Sequence, residues 1–258
     1  MRGVYQSGPT EAPAIVLLHS SMSSARQWRS LSANIASDFR VINIDLYGYG
    51  EAPAVEEPKT FSLTTEAERV IQILDKLEVN QYHLLGHSYG GALALKLALE
   101  QNSRLCSLML FEPVAFHLLN DEAPGRREVQ KLASDVAQSS ASDAAAAFVN
   151  YWNGEGYFDA LPESMQAAFS SQVEKVKLDF QALLSEPYAP QDYARIMQPT
   201  LLMTGKYSRP PAHAVAAVIG QQLPRLTAVS VSAGHMAPIS HSDKVNQQIV
   251  EFLHSHLS

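Results

Sequence analysis

A serine between two glycines stands out in the segment Leu84–Leu95, which reads LLGHSYGGALAL. Gly86 to Gly90 form the pattern Gly-x-Ser-x-Gly between an apolar run and a segment of good helix formers. At a strand-to-helix turn this pattern exposes the serine hydroxyl for nucleophilic attack, because the glycines keep side chains out of a sharp turn. Serine is also a favoured helix N-cap, so Ser88 has a structural interpretation as well. The strand before it and the helix after it favour a nucleophile.

A serine hydroxyl is a weak nucleophile until a base accepts its proton. Among the nine histidines of the chain, His235 is the predicted base, in the segment SAGHMAP after the last apolar run. A nucleophile followed late in the chain by its histidine is the order typical of this turn. His87 neighbours Ser88 in sequence and is expected to point away from it, and His241 is the fallback. A structural loop histidine is the alternative for His235.

An acid should orient the histidine, but its usual position after the fifth apolar run, TGKYSRPP, contains no carboxylate. No Asp or Glu occurs from Tyr193 through Ser242. Glu112 ends the fourth run in LMLFEP, at an edge where strand ends converge. A glutamate there can reach the second histidine nitrogen, set its tautomer and stabilise the imidazolium. We therefore predict Glu112 as the acid, with a glutamate bound only to backbone as the alternative.

Two backbone N–H groups are expected to bind the oxygen that becomes negative during such an attack. One belongs to Tyr89, the residue after the nucleophile. The other is expected in the loop after the first apolar run, LLHSSMSSARQW. Ser21 is the predicted donor in that loop, and Ser20 is the second choice.

Six apolar runs, each ending in polar or glycine residues, predict the buried strands of a mostly parallel sheet. The runs are Ala14–Ser20, Phe39–Gly50, Tyr82–Ser88, Leu105–Pro113, Thr200–Ser208 and Leu226–His235. Helical periodicity lies between them, as in Ser62–Leu77, where Val70 and Leu74 share one face. Strands that alternate with helices indicate a doubly wound α/β sheet.

Residues 115–190 interrupt this alternation, because they contain several helical segments and no convincing strand. We predict that they form a helical cap inserted into an α/β core made of residues 1–114 and 191–258. Several positions in the cap, together with Ser20, are candidates for lining a substrate pocket, although ordinary packing is the alternative for each. The cap positions are Phe116, His117, Tyr151 and Trp152.

Composition argues against several classes of function. The net charge of −7 comes without a basic block, so nucleic acid is not an expected partner. No run reaches the roughly 18 apolar residues of a membrane span, and no signal peptide is evident, so we expect a cytoplasmic protein without a membrane partner. The single cysteine, Cys106, is expected to be a buried structural thiol. His254 and His256 lack nearby ligands, so no metal site is predicted.

The motifs LLHSSMSS, DLYGYGEA, GHSYGG and AGHMAP together resemble those of the α/β-hydrolase superfamily over nearly the whole chain. The resemblance implies a mostly parallel sheet, a helical cap and no cofactor. Three positions depart from the usual pattern: Ser20 replaces a glycine, Ala52 replaces a serine, and Ser208 stands near the place of the late aspartate. Some relatives carry the acid at the end of the earlier strand, and Glu112 matches that arrangement.

Together these residues predict a serine hydrolase that cleaves a small to medium acyl compound through a Ser-His-Glu triad and an acyl-enzyme. A carboxylic ester is the expected substrate, and the resemblance also allows cleavage of a carbon–carbon bond in a β-diketone-like compound. The alternatives are a ligand-binding protein of the same fold with slow or no turnover, and a cofactor-free lyase. We expect a small-molecule acyl substrate as partner and a monomer or homodimer.

Overall fold

The computed structural model describes residues 1–256, and a seven-stranded sheet runs through this part of the chain. The strands are β1 (Val4–Ser7), β2 (Ala14–Leu18), β3 (Arg40–Ile44), β4 (Tyr82–His87), β5 (Leu105–Phe111), β6 (Thr200–Gly205) and β7 (Leu226–Val231). Their order across the sheet is β1-β3-β2-β4-β5-β6-β7. Strand β1 is antiparallel to β3, and all other neighbours are parallel. The mostly parallel α/β sheet predicted from the sequence is confirmed.

Helices connect and flank the strands. They are α1 (Arg29–Ile35), α2 (Leu63–Lys76), α3 (Tyr89–Glu100), α4 (Pro124–Gln138), α5 (Ala141–Asn153), α6 (Glu163–Ser171), α7 (Val173–Ser185), α8 (Pro210–Gln222), α9 (Ala237–Ser240) and α10 (Ser242–Ser255). Helices α4 to α7 all lie between β5 and β6, where the sequence predicts an inserted cap. Over residues 1–256, no helix has both the length and the apolar character that a bilayer crossing requires.

The central strands are buried on both faces, which explains why they read as continuous apolar runs. Successive side chains of a strand point to opposite faces. In β2, Val16 and Leu18 join one apolar cluster, with α2, α3 and the helices after β5. Ile15 and Leu17 join the second cluster, with α1 and α10. The carboxyl ends of the strands therefore meet at one edge of a sheet that is fixed from both sides.

Three features of the sheet differ from what the sequence predicts. The short antiparallel strand β1 was not among the predicted runs, because its side chains are mostly exposed and lack an apolar pattern. Strand β7 was predicted to be buried on both faces, but it is an edge strand with exposed Thr227 and Ala228. Cys106, expected to be buried, is only half-buried near the start of β5.

The turn from β4 into α3 needs glycine at two positions. A Cβ atom on Gly86 would lie 2.2 Å from the carbonyl oxygen of Gly90. A Cβ atom on Gly90 would lie 2.5 Å from the carbonyl oxygen of His19, to which the Gly90 N–H donates at 3.1 Å. These neighbours are backbone atoms, which cannot rotate away as a side chain can. The two glycines thus let the turn approach the end of β2 closely.

We expect Gly90→Ala to lower the free energy of unfolding by about 1–3 kcal/mol or more, because the added methyl group overpacks a rigid backbone contact. Gly220→Ala is the matched control: its Cβ would meet only Leu226 Cδ2, at 3.7 Å, on an exposed turn of α8. That change should be neutral or stabilise by roughly 0.4–1 kcal/mol. Urea unfolding of both variants measures the difference, and equal stability would contradict the steric argument.

Candidate active site

Ser88, His235 and Glu112 form one hydrogen-bonded chain. Ser88 Oγ lies 2.9 Å from His235 Nε2, and His235 Nδ1 lies 2.6 Å from Glu112 Oε2. The three residues follow β4, β7 and β5, and all of them are buried. Because the Glu112 carboxylate only accepts hydrogen bonds, the ring proton sits on Nδ1 and leaves Nε2 free to accept from the serine hydroxyl.

Ser88 has a backbone conformation that is unusual for a residue with a side chain. Its φ is 55° and its ψ is −117°, in a region that costs free energy and persists only where the surroundings enforce it. The Ser88 N–H donates to the Phe111 carbonyl at 3.0 Å, and the Ser88 carbonyl accepts from the N–H groups of Ala92 and Val114. These bonds tie the turn to the end of β5 and direct the hydroxyl toward His235.

The Glu112 carboxylate is fully buried but well supplied with donors. Its Oε1 accepts from the Gly205 N–H at 2.6 Å, and its Oε2 faces His235. Burial by itself would raise the pKa of Glu112, but the hydrogen bonds from His235 and Gly205 hold it below its usual value. The turn from Gly205 to Ser208 after β6 is the place where the usual pattern has a late aspartate. Here the turn instead supplies the Gly205 N–H as a donor to Glu112.

The two candidates for the second oxyanion donor, Ser20 and Ser21, differ in the hydrogen bonds that their backbone N–H groups make. Both the N–H and the hydroxyl of Ser20 donate to Gln27 Oε1, at 3.1 and 2.9 Å. Across the described residues 1–256, no acceptor takes the backbone N–H of Ser21 or that of Tyr89. The Ser20 N–H is therefore committed to Gln27, whereas those of Ser21 and Tyr89 have no acceptor within the described chain.

A buried histidine fixes the loop that carries Ser21. The Leu46 N–H donates to His19 Nε2 at 2.9 Å, so the ring proton lies on Nδ1, which donates to the Ser20 carbonyl at 2.7 Å. Burial lowers the pKa of His19 to about 4, which keeps the ring neutral near pH 7. The neutral tautomer is the one that both hydrogen bonds require.

His87 holds the loop that carries His235. Its Nε2 lies 2.9 Å from the His235 carbonyl oxygen and therefore carries the proton. Burial is the main reason that the pKa of His87 lies well below its usual value. As predicted, its side chain points away from Ser88. The fallback base, His241, lies instead in an exposed contact with the Ser240 hydroxyl.

Two compartments meet at Ser88. The inner compartment is lined by Ser21, Ser88, Val114, Phe116, Phe148, Trp152, Val176, Asp179, Phe180 and Leu183. The outer compartment has a volume of about 490 Å³ and includes Ser20, Ser21, Ser88, Trp152 and the segment 234–236. Its lining also includes the side chains of Met22, Tyr157, Met165, Phe169 and Ile239, which are largely apolar. Neither compartment has a lysine or arginine among its described lining residues.

Three of the predicted pocket residues line these compartments. Phe116 lies in the inner compartment, Ser20 in the outer one and Trp152 in both. The Trp152 ring also stacks on the His235 ring, with 4.0 Å between centroids and 29° between planes. The segment between β5 and β6 therefore contacts the histidine directly.

The other two predicted pocket residues lie elsewhere. His117 Nε2 lies 3.0 Å from the Tyr193 hydroxyl, and the Tyr151 hydroxyl donates to Glu128 at 2.7 Å. Neither residue lines the two compartments, and the physical reason is the same for both. Each is the immediate neighbour of a residue that does line a compartment, and consecutive side chains on a helical turn point in different directions.

Asp179 is the lining residue that sequence reasoning missed. It is buried on α7, and its Oδ2 accepts from the hydroxyl groups of Ser21 and Tyr49, each at 2.6 Å. Its Oδ1 accepts from Lys175, which also pairs with Glu66 at 3.2 Å. The available signal was the spacing of Lys175 and Asp179, four residues apart in a helical segment rich in apolar residues.

Residues 15–248 match the model of the alpha/beta hydrolase family. The chain belongs to this family. A crystal structure of a hydrolase from Pseudomonas aeruginosa superposes with a TM-score of 0.82 at 25% identity, covering 97% of this chain and 93% of that one. Within residues 1–256, the alpha/beta hydrolase shows no group of three His, Cys, Asp or Glu side chains that could hold a metal ion.

Curated relatives include hydrolases of esters and of other bonds. The pimeloyl-[acyl-carrier protein] methyl ester esterase of Aeromonas hydrophila is 37% identical over 45% of this chain, and the aligned part spans 43% of that esterase. A 2-hydroxy-6-oxononadienedioate/2-hydroxy-6-oxononatrienedioate hydrolase of Paraburkholderia xenovorans is 26% identical over 96% of this chain and 89% of its own length. The relatives of this chain thus include hydrolytic enzymes.

The buried neutral histidines predict that stability falls with acidification. The pKa of His19 in the folded state is about 4 and that of His87 also lies below 6.5, so the unfolded chain binds protons that the folded chain does not. Stability is then complete above about pH 6.5 and is lost as pH falls toward 4, by up to about 1.4 kcal/mol per pH unit for each histidine.

His87→Gln tests this prediction, because glutamine keeps an N–H donor for the His235 carbonyl but does not titrate. Urea unfolding at pH 7.5, 6 and 5 should show a shallower pH dependence for His87→Gln than for the wild type. His213→Gln on α8 is the control for removing a histidine outside this buried group. An unchanged slope in His87→Gln would show that His87 is not held neutral.

Proposed function

We propose that this protein is a serine hydrolase that cleaves a carboxylic ester through an acyl-enzyme. The observation that carries the proposal is the continuous chain from Ser88 Oγ to His235 at 2.9 Å and from His235 to Glu112 at 2.6 Å. These are the distances at which a base can take the serine proton and an acid can orient the base. The family membership and the hydrolytic relatives support the same conclusion.

In the proposed first step, Ser88 Oγ attacks the carbonyl carbon of the ester while its proton moves to His235 Nε2. The imidazolium that forms is stabilised by the Glu112 carboxylate on Nδ1. The N–H groups of Tyr89 and Ser21 donate to the carbonyl oxygen as it becomes negative, which is often the largest single contribution to such catalysis. The bond to the leaving alcohol then breaks, and the alcohol takes the proton from His235.

In the second step, water replaces the alcohol. His235 Nε2 accepts a proton from the water as its oxygen attacks the acyl carbon. The tetrahedral intermediate collapses, the bond to Ser88 Oγ breaks, and the proton returns to the serine oxygen. The products are the free acid and the original enzyme, so no external reductant, oxidant or cofactor is consumed.

An ester fits these compartments better than the dioate in the name of the Paraburkholderia relative. A dicarboxylate loses the hydration of two charges when it is buried, and no lysine or arginine lines either compartment of the described chain to compensate for that loss. Ester hydrolysis is therefore our first choice over carbon–carbon cleavage.

Ser88→Ala should abolish both hydrolysis of para-nitrophenyl acetate and covalent labelling by a fluorescent fluorophosphonate. Glu112→Gln should lower kcat by roughly 100-fold to 10,000-fold, because the histidine loses the acceptor that sets its tautomer. Steady-state kinetics and labelling rates on a gel measure both effects.

Glu186→Gln is the matched control for Glu112→Gln. It also neutralises a buried glutamate, but one that pairs with Lys96 at 2.9 Å and lies outside both compartments. Its kcat should stay near that of the wild type. A wild-type protein that neither labels nor hydrolyses the ester would contradict the proposal and favour a ligand-binding protein of the same fold.

A further inference from the structure

The inner compartment brings an acidic side chain close to the nucleophile. Asp179 lies among the apolar side chains of Val176, Phe180 and Leu183, which α7 presents toward Ser88. It is the only charged residue that lines this compartment in the described part of the chain. Its carboxylate is buried, so its charge is not screened by bulk water.

The chemistry of the proposed reaction decides which part of a substrate enters this compartment. His235 must donate its proton to the leaving group, so the leaving group lies beside His235. Gly234, His235 and Met236 line the outer compartment, and none of them lines the inner one. The alcohol therefore occupies the outer compartment, and the acyl chain points into the inner one toward Asp179.

The lysine beside Asp179 is not available to a substrate. Lys175 Nζ contacts the carboxylates of both Asp179 and Glu66, and it lies 4.6 to 4.8 Å from the centroids of three aromatic rings. Those rings belong to Tyr49, Phe61 and Tyr89. Its donors are thus used within the protein, its one positive charge is shared between two carboxylates, and the ammonium group does not line the inner compartment.

The inner compartment also leaves little space for hydration. About 10 Å³ is open to the centre of a water molecule, and the space between the lining atoms is about 250 Å³, so an acyl group that fills this narrow space leaves no room for water beside it. A charged acyl group would have to enter almost without its hydration shell. With Asp179 as the nearest charge and no free cation, nothing would replace that shell.

We infer that this compartment selects uncharged acyl groups and rejects acyl groups that end in a carboxylate, with Asp179 as the residue that enforces the selection. The inference rests on the proposed ester hydrolysis and names the class of acid from which the ester is made. In this inference Asp179 determines substrate specificity. Its carboxylate also accepts a hydrogen bond from the hydroxyl of Ser21, whose backbone N–H faces the reacting carbonyl in the proposal.

The test compares para-nitrophenyl isovalerate with mono-para-nitrophenyl malonate, after subtraction of the uncatalysed rates. The isopropyl group of the first ester and the carboxylate of the second have the same number of non-hydrogen atoms, so the pair differs mainly in charge. Wild-type kcat/KM should favour the isovalerate by roughly 100-fold or more, as expected for burying an unpaired charge.

Asp179→Asn removes the charge but keeps an oxygen that can accept from Ser21 and Tyr49. It should reduce the preference by about tenfold or more, mainly by raising kcat/KM for the malonate. Asp135→Asn changes the net charge equally at a half-exposed position of α4 that pairs with Lys131 and lies outside both compartments, and it should leave the preference unchanged. Thermal unfolding shows whether Asp179→Asn is folded. The comparison of the two esters with the wild-type enzyme does not depend on any variant.

The outcomes separate this inference from the proposed function. If the wild type favours the isovalerate by less than about tenfold, or hydrolyses para-nitrophenyl acetate but neither of these two esters, and Ser88→Ala hydrolyses none of them, the enzyme is a serine esterase and the charge selection is wrong. If the wild type discriminates but folded Asp179→Asn discriminates equally, the assignment to Asp179 is wrong. If the wild type hydrolyses neither ester nor para-nitrophenyl acetate, the proposed function itself fails and the selection fails with it.

Discussion

A carboxylate with no exposure to water must receive hydrogen bonds from the protein, and this requirement organises the candidate active site around Glu112. One of its oxygens takes the N–H of Gly205 at the end of β6, and the other takes Nδ1 of His235 beyond β7. Satisfying this one side chain therefore brings three strand ends together. The same contacts leave His235 Nε2 directed at Ser88.

Backbone strain at two neighbouring strand ends supports this arrangement. Ser88 and Glu112 both have positive φ, at 55° and 41°, which is uncommon for residues other than glycine. Their backbones are linked, because the Ser88 N–H donates to the Phe111 carbonyl and the Val114 N–H donates to the Ser88 carbonyl. Each unusual turn is thus held by bonds that involve the other, and the two functional side chains are directed by a rigid part of the sheet.

The residues on strand ends could be predicted from the sequence, whereas those in the cap segment mostly could not. Ser88 and His235 stand in recognisable local motifs, and Glu112 followed from the absence of a later carboxylate. Asp179 has no such motif: its role depends on a hydrogen bond to Ser21, 158 residues away in sequence, and thus on how α7 packs. His117 and Tyr151 do not line the compartments although their neighbours Phe116 and Trp152 do, because apolar composition indicates a pocket segment without indicating which side chain points inward.

Two buried carboxylates, those of Glu112 and Asp179, therefore lie near Ser88. Their hydrogen-bond partners differ, and so does the effect of their charges on the proposed reaction. Glu112 is bonded to a ring that becomes cationic during the proposed reaction, so its negative charge is balanced when the transition state forms. Asp179 is bonded to Lys175 and to hydroxyl groups, and none of these partners changes charge in the proposed steps. In the proposed reaction, a neutral ester adds no charge to this arrangement, and its one new negative charge develops on the oxygen assigned to the N–H groups of Tyr89 and Ser21. The proposed function and the inferred selection thus share one electrostatic basis: the site suits a charge that arises during the reaction and does not suit one that the acyl chain carries from the start.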